Sequence, residues 1–227
     1  GDAALPRDPA AALKWLTYAA ELGNQFAQYR LGKLLLKGDD GIPKDVIAAI
    51  RWLTAAAKQE NGYAEYALAL VYLTGEDAPK DSVKALSLLK RSAGRGNQFA
   101  QYRLGKLLLQ GEDAPKDVKA AIRWLTAAAE QGNQYAQYAL GKLYLLGKEV
   151  PKDRSSAIKW FQLATDQGNE YAQYFLEHMD DRLGQPPVAA VISLFHHLAN
   201  IFQEQNQPPP SGGVRVAVDR KLLRKIK

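Results

Sequence analysis

The residue types that could do chemistry are few in this chain, and their spacing does not bring them together. There are three histidines: His178, His196 and His197. The last two are neighbours, about 100° apart on a helix, so they cannot converge on one metal ion. His178 lies beside Asp180 and Asp181. The carboxylate pairs Glu76-Asp77 and Glu112-Asp113 fall in turns, where they read as solvated acids, with a weak cation site as the competing reading. No nucleophile elbow, phosphate loop or metal-ligand spacing occurs. The absence of cysteine excludes disulfides and thiolate metal sites, and it fits a reducing cytoplasm. The sequence therefore predicts no catalytic residue, no metal and no cofactor.

Recognition chemistry is better represented. A tyrosine recurs at Tyr29, Tyr66, Tyr102, Tyr138 and Tyr174. Its two readings are half-buried packing and direct contact with a partner, and a phenol can do both. The neighbouring columns vary. One runs Arg30, Ala67, Arg103, Ala139, Phe175, and the other Lys33, Leu70, Lys106, Lys142, His178. A packing position wants uniform residues, so variable columns are expected to face solvent or a ligand. Arg30, Lys33 and Lys37 lie at i, i+3 and i+7, on one side of one helix. Together these residues predict a basic, aromatic trough for an acidic protein or peptide segment. The plain alternative is a solvated lysine face.

The elements that position these residues form a repeat. "GNQFAQYRLGKLLL" occurs at both Gly23–Leu36 and Gly96–Leu109. The alanine of this stretch returns as Ala27, Ala64, Ala100, Ala136 and Ala172. The aspartates Asp8, Asp45, Asp81, Asp117 and Asp153 keep the same period, spaced 37, 36, 36 and 36. A bulky column follows at Trp15, Trp52, Leu88, Trp124 and Trp160. Each unit reads as two helices. Asp117 caps one and Asn133 the next. Gly132 supplies the left-handed turn between them. Where Glu60 replaces that glycine, the left-handed turn is expected to move along to Asn61-Gly62. One helix pair cannot bury its apolar face alone, whereas stacked pairs can.

The pattern "AQYxLGKLYxxGxxxPKDxxxAxxWxxxAAxQGN" resembles the Sel-one-like repeats, relatives of the tetratricopeptide repeats, from about Pro6 to Asp180. The resemblance implies an all-α, right-handed α/α superhelical solenoid of about five two-helix repeats. It also implies that the Tyr29-bearing type of helix lines the concave face. The expected organisation is a solenoid over 1–181, a C-terminal capping helix over 182–206, and a proline-rich linker with a basic tail over 207–227.

The two ends read differently. The chain starts at Gly1 and has one methionine, Met179, so it reads as a fragment whose first helix something upstream should cover. "PPVAAVISLFHHLANIFQEQ" is amphipathic and suited to closing the last repeat. The tail holds Arg215, Arg220, Lys221, Arg224, Lys225 and Lys227 against Asp219, a net +5 of the chain's +6. That charge predicts non-specific nucleic-acid binding, or docking on another copy or on the chain's own groove. No apolar run is long enough to span a membrane. Residues 187–227 resemble the C-terminal region of bacterial mobilisation relaxases. This implies a bacterial cytoplasmic setting, with the nicking domain upstream of Gly1. The expected function is a non-catalytic protein-interaction scaffold, the accessory region of a DNA-mobilising relaxase, with a nucleic-acid-binding module as the alternative.

Overall fold

The computed structural model describes residues 9–38 and 41–179. The expected closing helix, the linker, the basic tail from Arg215 to Lys227, and His196 and His197 lie outside the described residues. Within them the chain forms ten helices and no strand: α1 Pro9–Glu21, α2 Gln25–Lys37, α3 Val46–Lys58, α4 Gly62–Thr74, α5 Ser82–Gly94, α6 Gln98–Gln110, α7 Val118–Glu130, α8 Gln134–Leu146, α9 Arg154–Thr165 and α10 Glu170–Glu177.

The two helix types start differently. Even-numbered helices open at Asn24, Asn61, Asn97, Asn133 and Asn169, whose side-chain oxygens accept amide protons of the first turn. The odd helices α3, α5, α7 and α9 open at Asp45, Asp81, Asp117 and Asp153 in the same way. Each cap satisfies donors that a helix start otherwise leaves orphaned. Past α4, α6 and α8 the chain turns at Gly75, Gly111 and Gly147 in the left-handed conformation.

Each even helix packs against the odd helix that follows it. The pair α6–α7 approaches so closely that a Cβ on Gly105 would lie 2.7 Å from Leu125 Cγ, and Gly32 and Gly141 meet Leu53 and Phe161 in the same way. The four hairpins stack with their interfaces in register, flanked by α1 and α10 as half-units. Leu53, Leu89, Leu125 and Phe161 are fully buried at equivalent places. The result is the all-α solenoid of about five repeats that the period predicts.

Three inter-repeat junctions share a glutamine ladder. Gln28, Gln101 and Gln137 are buried and donate to the carbonyls of Ala20, Ala93 and Ala129. They accept in turn from Gln59, Gln131 and Gln167 at 2.7–2.8 Å. The junction between α4 and α5 differs. Glu65, with no exposed surface, stands in the first position and Arg95 in the second. Arg91 Nη2 lies 2.6 Å and Arg95 Nε 3.3 Å from the Glu65 carboxylate. Both arginines belong to the end of α5 and reach a carboxylate that has no exposed surface.

The turn before α4 corrects one expectation. The left-handed residue does not move to Asn61-Gly62. Glu60 itself adopts φ 67°, in register with Gly23, Gly96, Gly132 and Gly168. The cause is the hydrogen bonding of the turn. Asn61 N–H donates to Ala56 O just as Asn97 donates to Ser92 O and Asn133 to Ala128 O. That bond and the asparagine cap hold the register, and Gly62 becomes the first residue of α4. A non-glycine residue there costs about 1–2 kcal/mol.

Candidate partner-binding wall

The even helices present the sequence-predicted residues along one wall: Tyr29, Arg30, Lys33 and Lys37 on α2, Tyr66 on α4, Tyr102, Arg103 and Lys106 on α6, and Tyr138 and Lys142 on α8. The tyrosines are half-buried. Each packs against an aromatic at the second position of the next even helix: Tyr29 on Tyr63, Tyr66 on Phe99, Tyr102 on Tyr135 and Tyr138 on Tyr171, with ring centroids 5.8–6.3 Å apart. This ring ladder ties consecutive repeats together. Its second rail, Phe26, Tyr63, Phe99, Tyr135 and Tyr171, is absent from the candidate list drawn from sequence, although it keeps the same period. Burial raises the phenol pKa at Tyr29, Tyr66 and Tyr102, and pushes Tyr138 up to about 12. These phenols stay protonated at neutral pH.

The cations are not a uniform solvated face. Arg30 and Lys37 are exposed, whereas Lys33, Arg103, Lys106 and Lys142 are half-buried. The Lys33 ammonium sits 5.9 Å from the Tyr29 ring centre. Burial lowers its pKa, and the charges of Arg30 and Lys37 add to that. Lys106 is lowered furthest, to about 8, by burial first and then by Arg103 and Lys142. Lys142 is lowered by burial and by Lys148. The charge of Arg103 is felt at both Tyr66 and Tyr102, and its Nε is buried without a hydrogen-bond partner. The wall therefore carries two positive clusters, one on α2 and one across α6 and α8. Between them α4 presents the half-buried Ala67 and Leu70.

The variable columns do not face outward throughout. At α10 the first column turns inward, where Phe175 stacks on Phe161 at 5.3 Å and packs beside Tyr138. His178 stacks on Tyr174, and its Nδ1 lies 2.8 Å from the Tyr174 carbonyl.

The turn carboxylates form a ladder of their own. Lys44 pairs with Asp77, Lys80 with Asp113 and Lys116 with Glu149, at 2.5–2.9 Å. Asp77 and Asp113 thus answer lysines from the preceding turn. Among the described residues no group of three or more histidine, cysteine or acidic side chains could hold a metal ion, and no helix is long and apolar enough to cross a membrane.

The Sel1 repeat model matches residues 1–24, 25–61, 62–97, 98–133 and 134–169. No curated protein matches the chain. Among solved structures it is similar to a protective antigen of uropathogenic Escherichia coli strains displaying an SLR fold, with 34% identity and a TM-score of 0.70 over 74% of this chain and 36% of that one. It is also similar to a Sel1 repeat protein from Oxalobacter formigenes, with 35% identity and a TM-score of 0.70 over 77% of this chain and 50% of that one. The chain thus spans between about a third and a half of the length of these two neighbours. With five matched segments laid end to end over a stack of helical hairpins, the chain belongs to the Sel1 repeat family.

Proposed function

We propose that the even-helix wall binds an extended acidic segment of a protein partner. Sel1-repeat scaffolds generally mediate protein–protein interactions. The observation that carries the finer reading is the state of Lys106, held among Arg103 and Lys142 and partly withdrawn from water. An incoming carboxylate relieves both the desolvation and the like-charge repulsion that oppose its protonated form. Neighbouring packed helices lie about 10 Å apart, so the clusters on α2 and α6 are about 20 Å apart. An extended chain rises about 3.3 Å per residue. The best ligand then has two acidic clusters about six residues apart, with apolar residues between them to meet Ala67 and Leu70.

The test is fluorescence anisotropy with a labelled peptide of that pattern, against an isomer in which the acids are contiguous. Lys106→Glu should weaken the patterned peptide by about tenfold or more, as expected for reversing a charge that meets its partner in a partly desolvated site, and Arg30→Glu, at an exposed position, by about threefold. Equal binding of both peptides, or no loss in either variant, refutes the wall.

The excess of +5 in residues 207–227 supports a second reading, nucleic-acid binding through the tail. It accords with the likeness of residues 187–227 to relaxase C-terminal regions, and so with an accessory role in DNA mobilisation. Four to five phosphate contacts give a log–log salt slope near about −4. A flat salt dependence, or no affinity lost on deleting residues 207–227, refutes this reading.

A further inference from the structure

One junction lacks a side chain that the others possess. In the bulky column, Trp52, Trp124 and Trp160 are partly buried against the hydrophobic core, and the core around each includes an alanine of an odd helix and a leucine of the next even helix at matching register: Ala20 and Leu31 for Trp52, Ala93 and Leu104 for Trp124, and Ala129 and Leu140 for Trp160. The equivalent pair between α3 and α4 is Ala57 and Leu68, and above it stands Leu88. The shorter side chain leaves a cleft of about 210 Å³ lined by Thr54, Ala57, Leu68, Tyr72 and Leu88.

The same junction gains charge at its rim. Lys84 occupies the place of Ala48, Ala120 and Ser156, and Arg91 that of Ala55, Ala127 and Leu163. Both line the cleft, as does Lys58 at the end of α3. Lys84 donates to the Tyr72 hydroxyl at 2.8 Å, and Arg91 reaches inward to Glu65. On α4, at about 100° per residue, Leu68 lies about 160° around the helix from both Tyr66 and Leu70, and Tyr72 about 160° from Leu70 and about 120° from Tyr66. The cleft therefore opens on the side opposite the tyrosine wall and does not depend on the reading proposed for that wall.

Size and chemistry select the occupant. The volume exceeds that of a water molecule, about 30 Å³, and falls short of the roughly 300 Å³ at which small-molecule sites begin. It suits one large side chain. The floor is apolar, which disfavours a bare anion, and the rim is cationic, which favours an aromatic ring through cation–π contact and carboxylates beside it. The chain's own tail carries the wrong charge and has no aromatic residue over 207–227. We infer that the cleft between α3, α4 and α5 is a second recognition site, taking an aromatic side chain flanked by carboxylates from a protein partner. The ring takes the seat that an indole fills at the sibling junctions, in the manner of an anchor residue in a pocket.

The experiment is an amide NMR titration of the full chain with acetyl-Asp-Trp-Glu-amide and acetyl-Asp-Ala-Glu-amide at millimolar concentration. The tryptophan peptide should shift amides of Ala57, Leu68, Tyr72 and Leu88, with the alanine peptide at least fivefold weaker. Leu88→Trp, which installs the residue found at the other four positions of the column, should abolish the response. Lys58→Glu, on an exposed residue, should weaken it about threefold, as a rim charge does. Lys106→Glu should leave it unchanged. Equal response to both peptides, undiminished binding to folded Leu88→Trp, or no effect of Lys58→Glu overturns the assignment. If Leu88→Trp does not fold, the peptide pair and Lys58→Glu decide it.

Discussion

Arg95→Gln and Glu65→Gln should have unequal consequences at the ionic pair between α4 and α5, although they remove the two halves of one pair. Glu65 has no exposed surface, whereas the Arg95 side chain is 31% and the Arg91 side chain 50% exposed. Removing Arg95 leaves a buried carboxylate with Arg91 alone. Breaking a buried pair costs about 3–5 kcal/mol. With Arg91 remaining at 2.6 Å, about 2 kcal/mol is expected. Removing the Glu65 charge leaves two guanidiniums that retain water, and the glutamine amide introduced by Glu65→Gln can donate to Ala57 O as Gln101 does to Ala93 O. That single change should cost under about 1 kcal/mol. The double variant rebuilds the pair seen at 2.7 Å between Gln131 and Gln101. Because a buried ion pair must repay the desolvation of its charges and a neutral pair need not, the double variant should equal or exceed wild type by about 1 kcal/mol. The cycle then closes with a coupling of about 2–4 kcal/mol, which holds both the lost ion pair and the new glutamine pair and does not exceed the gross Coulomb figure of about 4 kcal/mol for charges 4 Å apart at an effective dielectric of 20. Guanidinium denaturation followed by circular dichroism measures it, with an unchanged m-value as the check on a single transition. A double variant as unstable as Arg95→Gln alone refutes the equivalence of the two kinds of junction.

The remaining expectations concern protons and backbone. Lys106 has a pKa near 8 in the free protein; a bound acidic segment returns it towards the ordinary lysine value. Binding of the patterned peptide should therefore take up about 0.9 proton at pH 9 and almost none at pH 6.5, and affinity should fall as pH rises above 8. Calorimetry in buffers of different ionisation enthalpy reads this, and equal heats at pH 9 refute it. In the free protein the unfolded chain keeps this proton longer than the folded chain, so this group makes stability rise between about pH 8 and 10.5, and Lys106→Met should flatten that rise in denaturant midpoints. Glu60→Gly relieves the positive φ and loses only an exposed ion pair with Arg95. It should raise stability by about 0.5–1 kcal/mol in the same denaturation assay.

Much of the fold is legible in the sequence because each signal is local. Asn133 and Asp117 cap helices because their side chains reach amides two or three residues away, and Gly132 turns the chain through its own φ. The turn at Glu60 marks the limit of that logic. Its identity argues against a left-handed residue, but the bond from Asn61 to Ala56 O and the cap at Asn61 outweigh the local preference. The wall divides in the same way. The period places Tyr29, Arg103 and Lys106 in columns, whereas the crowding of Lys106 by Lys142 on the next even helix arises only when repeats stack.

By itself the sequence determined the helical period, the caps, the stacking seam and the set of cations and aromatics offered to a partner, because those follow from neighbours along the chain. Tertiary structure alone decided that Phe175 packs inward while Lys33 stays at the wall, that Glu65 finds two arginines at the end of the partner helix of its hairpin, and that Leu88 leaves a cleft where an indole would stand. Each of these depends on side chains remote in sequence meeting across a junction, where burial and volume, not spacing, set the outcome.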